Sequence, residues 1–350
     1  MFSQIVRLVV VLIAVYCCVL LSIYLPRSAA FLTEIVFSNP PQLMPAWIYS
    51  LLFILYLFFI STVCFPFLLT IGWMLFADTK KRSVETLPFV SIIIPAYNEE
   101  QSILRSLEAL NKIEYPSFEV IVVNDGSTDF TFSVIERKNV RCIHLRENKG
   151  KAAALNAGIA DAKGSIVVFS DSDSWLHPMS VRYLVDGFTS PEIGAVSGSV
   201  EIEKHNNWIR RWQVIEYTFG QYFIKTAQLG SSRCVAICPG PVCAFRRTLL
   251  LDNDGFSNRT ITEDFDATLK IIGMGYRINY APKAIGYTEA PASWTQLKGQ
   301  RLRWFRGHLQ TFQYHKELFF AKEIGALGLY WLPVYYLFLG YICGILELIL

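Results

Sequence analysis

The stretch VSIIIPAYNEE, residues 90–100, places a short β-branched run directly before a polar segment, and it decides the fold. Residues 90–95 favour a strand, because β-branched side chains pack well on a pleated surface. Tyr97, Asn98 and Glu99 follow where that strand ends. Ligands of open parallel sheets bind beyond the carboxyl ends of the strands, so these three residues are predicted to face a ligand crevice.

Outward from this strand, short apolar runs alternate with helical patterns. Further strands are predicted at residues 118–123, 140–145 and 165–170, and helices at residues 100–111, 130–137 and 151–162. Such alternation is typical of βαβ units around a mostly parallel, Rossmann-like sheet. The predicted fold class of this central part is therefore α/β.

Long apolar runs flank the central part at residues 5–25, 47–76 and 327–350. Each is long enough, at about 1.5 Å per helical residue, to cross a bilayer. The first could instead be a cleaved signal peptide, because small residues at 28–30 resemble a cleavage site. The second ends near a basic cluster at residues 80–82, which the positive-inside rule places in the cytosol. A multi-pass plasma-membrane protein with a cytosolic central domain is expected.

These runs define a predicted domain organisation. Two transmembrane helices with their loop occupy residues 1–78, a cytosolic α/β domain 79–290, interfacial helices 291–325, and a transmembrane helix 326–350. Because the sequence stops inside an apolar run, further membrane helices are expected beyond it. An aromatic helical stretch at residues 208–225 suits either the membrane surface or packing on the soluble core.

Composition narrows the functional classes. The chain is 53% hydrophobic and 17% charged, which is too apolar for one ordinary soluble domain, and its net charge is +3. No cluster of Lys and Arg of the kind that nucleic-acid binding requires stands out, so no nucleic-acid partner is expected. Cys234, Cys238 and Cys243 lack the spacing of a zinc site and are expected to be buried thiols.

The segment NDGSTD, residues 124–129, follows the second predicted strand. Asp125 can accept hydrogen bonds from a base or a ribose, Gly126 allows a tight turn, and Ser127 can cap the next helix. Turn and cap chemistry alone would also explain these residue types. The segment is consistent with a nucleotide pocket without requiring one.

Asp171 and Asp173 come directly after the fourth predicted strand, in the segment DSDS. Two carboxylates one residue apart at a strand end form a hard-oxygen site for Mg²⁺ or Mn²⁺, which keeps much of its shell as water and phosphate oxygens. Such a metal neutralises the charge on a departing diphosphate. Solvated turns also produce this spacing, but its position after a buried strand favours a metal site.

The triplet Thr262-Glu263-Asp264 opens a predicted helix. Thr262 can cap that helix, and the two acids then complement the helix dipole. Alternatively, Asp264 is a general base that removes a proton from an attacking hydroxyl. The triplet by itself does not separate the two interpretations.

The segment QRLRW, residues 300–304, places Gln300, Arg303 and Trp304 within about one turn of a helix. Arginine suits a bidentate grip on diphosphate oxygens, and Trp304 offers a flat ring on which a sugar can stack. A basic amphipathic helix resting on anionic lipid is the alternative.

Six motifs, IPAYNEE, NDGSTD, NKGKAAALN, DSDS, TED and QRLRW, occur in an order that resembles the membrane-integrated, polymer-making glycosyltransferases of family 2. The resemblance covers residues 90–307. This group includes the synthases of poly-N-acetylglucosamine, hyaluronan, chitin oligosaccharide and cellulose, and the chain looks most like the bacterial poly-N-acetylglucosamine type.

The resemblance implies a GT-A fold and assigns roles to matching positions. Donor-binding positions are Tyr97, Glu99 and Asp125 for the uridine, with Lys151, Asp171 and Arg303 near the diphosphate; Asp171 and Asp173 hold the metal; Asp264 is the catalytic base; and Gln300, Trp304 and Gly240 lie near the acceptor. The loop at residues 238–241 carries two prolines, which is a departure from the family's small-residue loop.

The function that the resemblance implies is an inverting transfer of sugar from a UDP-sugar, with UDP-N-acetylglucosamine favoured, to a growing polysaccharide. Extrusion through the membrane region and an export or accessory subunit are further expectations. Two alternatives stay open: a transferase that glycosylates a membrane lipid such as ceramide, and a catalytically silent membrane assembly component.

Overall fold

The computed structural model describes residues 65–76, 87–138, 140–203 and 207–337. The chain divides into two compact units, Met1–Asp78 and Thr79–Leu350. In the first unit the described part is one helix, α1, Phe65–Phe76. It lies within the predicted membrane run at 47–76; the rest of that run and the run at 5–25 lie outside the described residues.

The described part of the second unit is built on an eight-stranded sheet. Its strands are β1 Val90–Ala96, β2 Phe118–Asp125, β3 Arg141–Leu145, β4 Ile166–Phe169, β5 Ser174–Leu176, β6 Ile193–Ile202, β7 Cys243–Arg246 and β8 Arg277–Thr288. They lie in the order β3-β2-β1-β4-β7-β6-β8-β5. The four strands predicted from the sequence are β1 to β4, so these predictions are confirmed to within a few residues.

The four strands of the predicted βαβ units run in the same direction, as predicted. Strands β3, β2, β1 and β4 run parallel, as do β6 and β8, whereas β7 is antiparallel to β4 and β6, and β5 is antiparallel to β8. Ala96 pairs with Asn124, and Ile93 pairs with Phe169. The carboxyl ends of β1, β2 and β4 therefore meet at one edge of the sheet.

Helices fill the connections between the strands. They are α2 Ile103–Leu110, α3 Thr131–Glu136, α4 Lys151–Asp161, α5 Ser180–Asp186, α6 Trp208–Tyr217, a π-helix Thr218–Ile224, α7 Lys225–Ser232, α8 Arg247–Leu251, α9 Glu263–Gly273, α10 Trp294–Tyr314, 3-10 turns Lys316–Leu318 and Lys322–Ile324, a π-helix Leu327–Trp331, and α11 Leu332–Leu337. The predicted helices before β2, β3 and β4 are present as α2, α3 and α4.

The core forms around β1, in which all seven residues are buried. Ile92 and Ile94 pack in one hydrophobic cluster with Ile103 and Leu107 of α2. Each such burial stabilises the fold by about 1.5–3 kcal/mol. On the other face α4 approaches so closely that a Cβ on Gly158 would lie 2.6 Å from a methyl carbon of Ile93. Close packing on both faces therefore holds the centre of the sheet in place.

In the described residues, no helix combines the length and the apolar character that a bilayer crossing needs. The longest, α10, has 21 residues and carries the polar QRLRW segment. Within the predicted run at 327–350, the described part is a short π-helix followed by α11, and residues 338–350 lie outside the described part.

Candidate functional site

The loops after β1 and β2 are joined by hydrogen bonds. Asn98 has a left-handed backbone conformation with φ 55°. Its N–H donates to Ser127 Oγ at 3.0 Å, and its Oδ1 accepts from the N–H of Thr128 at 2.9 Å. Tyr97 remains 44% exposed beside this junction. These hydrogen bonds hold the loops after β1 and β2 together at the sheet edge where the sequence predicted a ligand crevice.

The contacts of Ser127 show that one sequence prediction was wrong. Helix α3 begins at Thr131, and no side chain caps it from the N-cap position. The Thr131 N–H instead donates to Asp129 Oδ1 at 3.0 Å. Ser127 accepts from the neighbouring loop rather than capping a helix, because the helix starts four residues further along the chain.

Asp125 ends β2 and is 2% exposed. Its two carboxylate oxygens accept backbone N–H groups of Lys149 and Gly150, each at 2.8 Å. A carboxylate has about four lone-pair positions, so acceptor capacity remains for a ligand. Gly126 turns the chain here at φ 68°, and a Cβ would lie 2.5 Å from the carbonyl carbon of Glu147, which confirms the predicted glycine turn.

A charge cluster lies beyond β4. The Lys151 Nζ, at the start of α4, is 2.6 Å from Asp171 Oδ1 and 3.2 Å from Glu263 Oε1. Burial would lower the pKa of Lys151, but the charges of Asp171, Glu263 and Asp264 outweigh it and raise that pKa well above its usual value. The amine is therefore a fixed positive charge among three carboxylates.

Asp264 is the second residue of α9 and lines the same pocket as the charge cluster. Its Oδ2 accepts the Gly240 N–H at 3.1 Å, and its Oδ1 accepts the Phe265 N–H at 2.8 Å. Burial raises the pKa of Asp264, with the charge of Asp171 adding to the effect, while Lys151 opposes it. A carboxylate in this state holds a proton more readily than an exposed one, as a general base must.

Gly240 lies close enough to these groups that a side chain would crowd them. A Cβ there would be 3.1 Å from Asp171 Oδ2 and 3.1 Å from Lys151 Nζ. A small pocket opens at this point, and its lining includes Lys151, Phe169, Asp171, Gly240, Cys243, Phe256, Glu263 and Asp264. The structure thus brings together four of the residues singled out from separate motifs.

Asp173 lies next to this cluster, and its pKa is raised to about 6 by burial and then by the charge of Asp171. Its Oδ1 accepts the Ser174 hydroxyl at 3.0 Å. Across the described parts of the chain, no three His, Cys, Asp or Glu side chains are grouped to hold a metal. The carboxylates of Asp171 and Asp173 nevertheless fit Mg²⁺ or Mn²⁺, because these ions use one or two carboxylates beside phosphate and water.

Helix α9 is packed against α10 rather than capped by Thr262. Thr262 occupies the N-cap position, but its hydroxyl pairs with Thr311 Oγ1 at 3.3 Å and makes no cap hydrogen bond, so the capping alternative was wrong. Asp266, which is fully buried, accepts from His315 Nε2 at 2.8 Å and from Arg259. These contacts fix the helix that carries Asp264.

The QRLRW residues have different surroundings on α10. The Trp304 ring is 6.3 Å from the Tyr217 ring, and the Arg301 guanidinium lies 4.4 Å over it. Arg303 is exposed. The buried Gln300 Oε1 has no hydrogen-bond partner among the described residues. Arg301 therefore packs on the Trp304 ring, whereas the exposed Arg303 is accessible to a ligand.

Sequence reasoning missed two contributors to the site. Glu263 was interpreted only as a helix-dipole complement, although its contact with Lys151 makes it part of the charge cluster. Tyr217, in the aromatic stretch at 208–225, packs with its ring 6.3 Å from that of Trp304, and burial raises its pKa to about 12. The adjacency of Glu263 to Asp264 was a usable signal; nothing local indicated Tyr217.

Part of the chain matches a known protein family. Residues 91–252 match the family model described as Glycosyl transferase family 2. The probable glycosyltransferase YdaM of Bacillus subtilis (strain 168) is 31% identical over 240 residues, covering 65% of this chain and 57% of that protein. The poly-beta-1,6-N-acetyl-D-glucosamine synthase of Staphylococcus epidermidis is 30% identical over 223 residues, covering 62% and 54%. The chain thus spans little more than half the length of these relatives.

A solved structure has the same fold. The mannosyltransferase PcManGT from Pyrobaculum calidifontis, in complex with GDP-Man and Mn²⁺, superposes with a TM-score of 0.60 at 24% identity over 75% of this chain and 74% of that one. The α/β sheet described above is accordingly GT-A-like. Residues 91–252 are similar to glycosyl transferase family 2, and this similarity supports the predicted glycosyltransferase.

Proposed function

We propose that this protein transfers a sugar from a UDP-sugar, with UDP-N-acetylglucosamine the favoured donor, to a hydroxyl of a growing polysaccharide, with inversion at the anomeric carbon. The observation that carries the proposal is the convergence of Asp264, Lys151 and Asp171 on one pocket at the carboxyl edge of the sheet. The names of the staphylococcal relatives support a polymer of N-acetylglucosamine as product.

In the proposed mechanism Asp264 accepts the proton of the attacking hydroxyl. The N–H groups of Gly240 and Phe265 orient its two oxygens, and burial keeps it basic enough to hold the proton during attack. One base on one face of the donor suffices for a single displacement, whereas retention by double displacement needs a second carboxylate as nucleophile. No covalent intermediate is therefore required.

The donor is proposed to lie along the strand ends. Tyr97, Glu99 and Asp125 bind the uridine, and the positive charges of Lys151 and Arg303 contact the diphosphate. Support comes from the exposure of Tyr97, the free acceptor positions of Asp125 and the absence of a described partner for Arg303. On the acceptor side, Gln300 and Trp304 bind the terminal sugar, and Gly240 leaves room for it.

Asp171 and Asp173 are the residues that would hold Mg²⁺ or Mn²⁺. When bound, the ion neutralises negative charge that accumulates on the departing diphosphate. Carboxylate oxygens are the donors that these hard cations prefer. The Pyrobaculum mannosyltransferase is described in complex with Mn²⁺, which is consistent with metal use in this fold.

The same proposal includes the membrane. The apolar runs at 5–25, 47–76 and 327–350 are proposed to anchor the protein in the plasma membrane, with the family 2 domain on the cytosolic side next to the basic cluster at 80–82. Extrusion of the polymer through this region, with an export or accessory subunit, completes the proposal.

A donor panel tests the proposed function. The full chain, purified in detergent, is incubated with UDP-N-acetylglucosamine, UDP-glucose and UDP-glucuronic acid with Mn²⁺, and UDP release is measured. We expect release from UDP-N-acetylglucosamine, its loss with EDTA, and a product retained on a gel. A single-sugar lipid product would show that the acceptor is a lipid and not a polysaccharide. Absence of UDP release with all three donors would refute the proposed function.

A further inference from the structure

Lys225, the first residue of α7, is buried in the middle of the domain with 5% exposure. Its Nζ donates to Ser197 Oγ at 2.9 Å and to the Gly198 carbonyl oxygen at 2.9 Å. Within the described ranges, no carboxylate lies within ion-pair distance of this amine. The proposed mechanism does not use it.

A buried lysine without a carboxylate partner is costly to keep. Removal of an ammonium group from water is unfavourable, and here burial lowers the pKa of Lys225 to about 7. Methionine or leucine would fill the same space without that cost. The two hydrogen bonds are therefore what the position gains from a lysine.

The hydrogen bond to the Gly198 carbonyl lies opposite an irregularity in β8. Ser197 pairs with Tyr280 and Ser199 with Ile285, so β8 carries extra residues, 281–284, opposite Gly198. A Cβ on Gly198 would lie 2.6 Å from the carbonyl oxygen of Ala284, so only glycine fits there. Since this bulge of β8 interrupts the ladder opposite Gly198, the Lys225 amine supplies a donor for the Gly198 carbonyl oxygen.

The hydrogen bond to Ser197 Oγ leads to the loop beside the site. Because Ser197 Oγ accepts from Lys225, its own hydrogen is directed to the Ile237 carbonyl oxygen at 3.0 Å. Residue 237 directly precedes the loop at 238–241. Further along, the Cys238 N–H donates to Thr268 Oγ1 at 3.1 Å, and the Gly240 N–H donates to Asp264. A chain of hydrogen bonds thus connects Lys225 to the neighbourhood of the base.

We propose that Lys225 is a positioning residue, which holds β6 at Gly198 and, through Ser197, fixes the loop at 238–241 so that the Gly240 N–H stays directed at Asp264. The inference rests on the proposed role of Asp264 and adds a buried residue that supports it. Burial lowers the pKa of Lys225, while the charges of neighbouring groups, Asp264 among them, raise it.

The test compares Lys225→Met and Ser197→Ala with the unchanged protein in the UDP-release assay. Misplacement of a reacting group by about 1 Å costs up to ~10²-fold in rate, so each variant is expected to lose about 10- to 100-fold in kcat. KM for the UDP-sugar is expected to change less than about 3-fold, because the donor contacts other residues. The exposed Lys112→Met serves as a matched control.

The double variant separates positioning from general damage. If both residues act through one hydrogen-bond chain, Lys225→Met with Ser197→Ala loses no more kcat than either alone. Unchanged kcat in either single variant, additive losses, or a loss confined to KM would each overturn the proposal. Should Lys225→Met fail to fold, Ser197→Ala decides on the same criteria. A parent protein without UDP release would instead count against the proposed function itself.

Discussion

Asp264→Asn is expected to lower kcat for sugar transfer by about 10²- to 10⁴-fold, the range that general-base catalysis typically contributes. The amide cannot accept the proton of the acceptor hydroxyl. Its size is kept, and its single oxygen can still accept one of the two N–H groups, from Gly240 or from Phe265. UDP binding is expected to stay within about 3-fold of the unchanged protein, because the base contacts the acceptor rather than the nucleotide. UDP release and calorimetric titration with UDP measure the two quantities.

The control for this variant is Asp252→Asn, which removes an exposed carboxylate from the same unit. It should leave both kcat and UDP binding unchanged. Near-normal turnover of Asp264→Asn would remove Asp264 from the role of base. A parallel loss of UDP binding would show that the residue acts on the donor instead.

Asp173→Asn is expected to act at the donor end of the site. It removes one of the two carboxylates that suit a divalent cation and leaves Asp171 paired with Lys151. Loss of outer-sphere partners alone costs metal sites about 10- to 100-fold in affinity, so loss of a direct ligand is expected to cost at least as much. The Mn²⁺ concentration for half-maximal UDP release should rise accordingly.

The comparison for this second variant is the metal titration itself. Saturating Mn²⁺ should restore part of the rate, since the remaining groups still bind the diphosphate. Full-rate transfer by the unchanged protein in EDTA, or an unaltered Mn²⁺ requirement in Asp173→Asn, would contradict the assignment. Asp186→Asn, which removes a carboxylate from α5, serves as the control.

The sheet was predictable because its central strands are local patterns. Residues 90–95 and 118–123 are β-branched runs bounded by polar turns, and both became buried parallel strands. Strands β6 and β8 were not predicted. Their partners are distant in sequence, and a bulge of β8 opposite Gly198 interrupts their register. Short-range periodicity carries no information about such pairings.

The site was predictable to the extent that its residues stand at strand ends. Asp171 and Asp125 followed recognisable strands, and the structure places them at one edge. Helix caps were less predictable. Thr262 and Ser127 have the residue types of caps, but their hydroxyls form hydrogen bonds with residues distant in sequence instead. The support from Lys225 could not be found at all, since a lone lysine in a helical pattern normally indicates a solvated face.

Single displacement at the anomeric carbon is the central claim, and the configuration of the product tests it most directly. The protein is supplied with UDP-α-N-acetylglucosamine, and the new linkage is examined by ¹H NMR through the coupling of its anomeric proton. A β-linked product is predicted, because Asp264 activates one hydroxyl for attack opposite the departing UDP. An α-linked product would contradict the mechanism, since retention requires a nucleophile that the account does not contain.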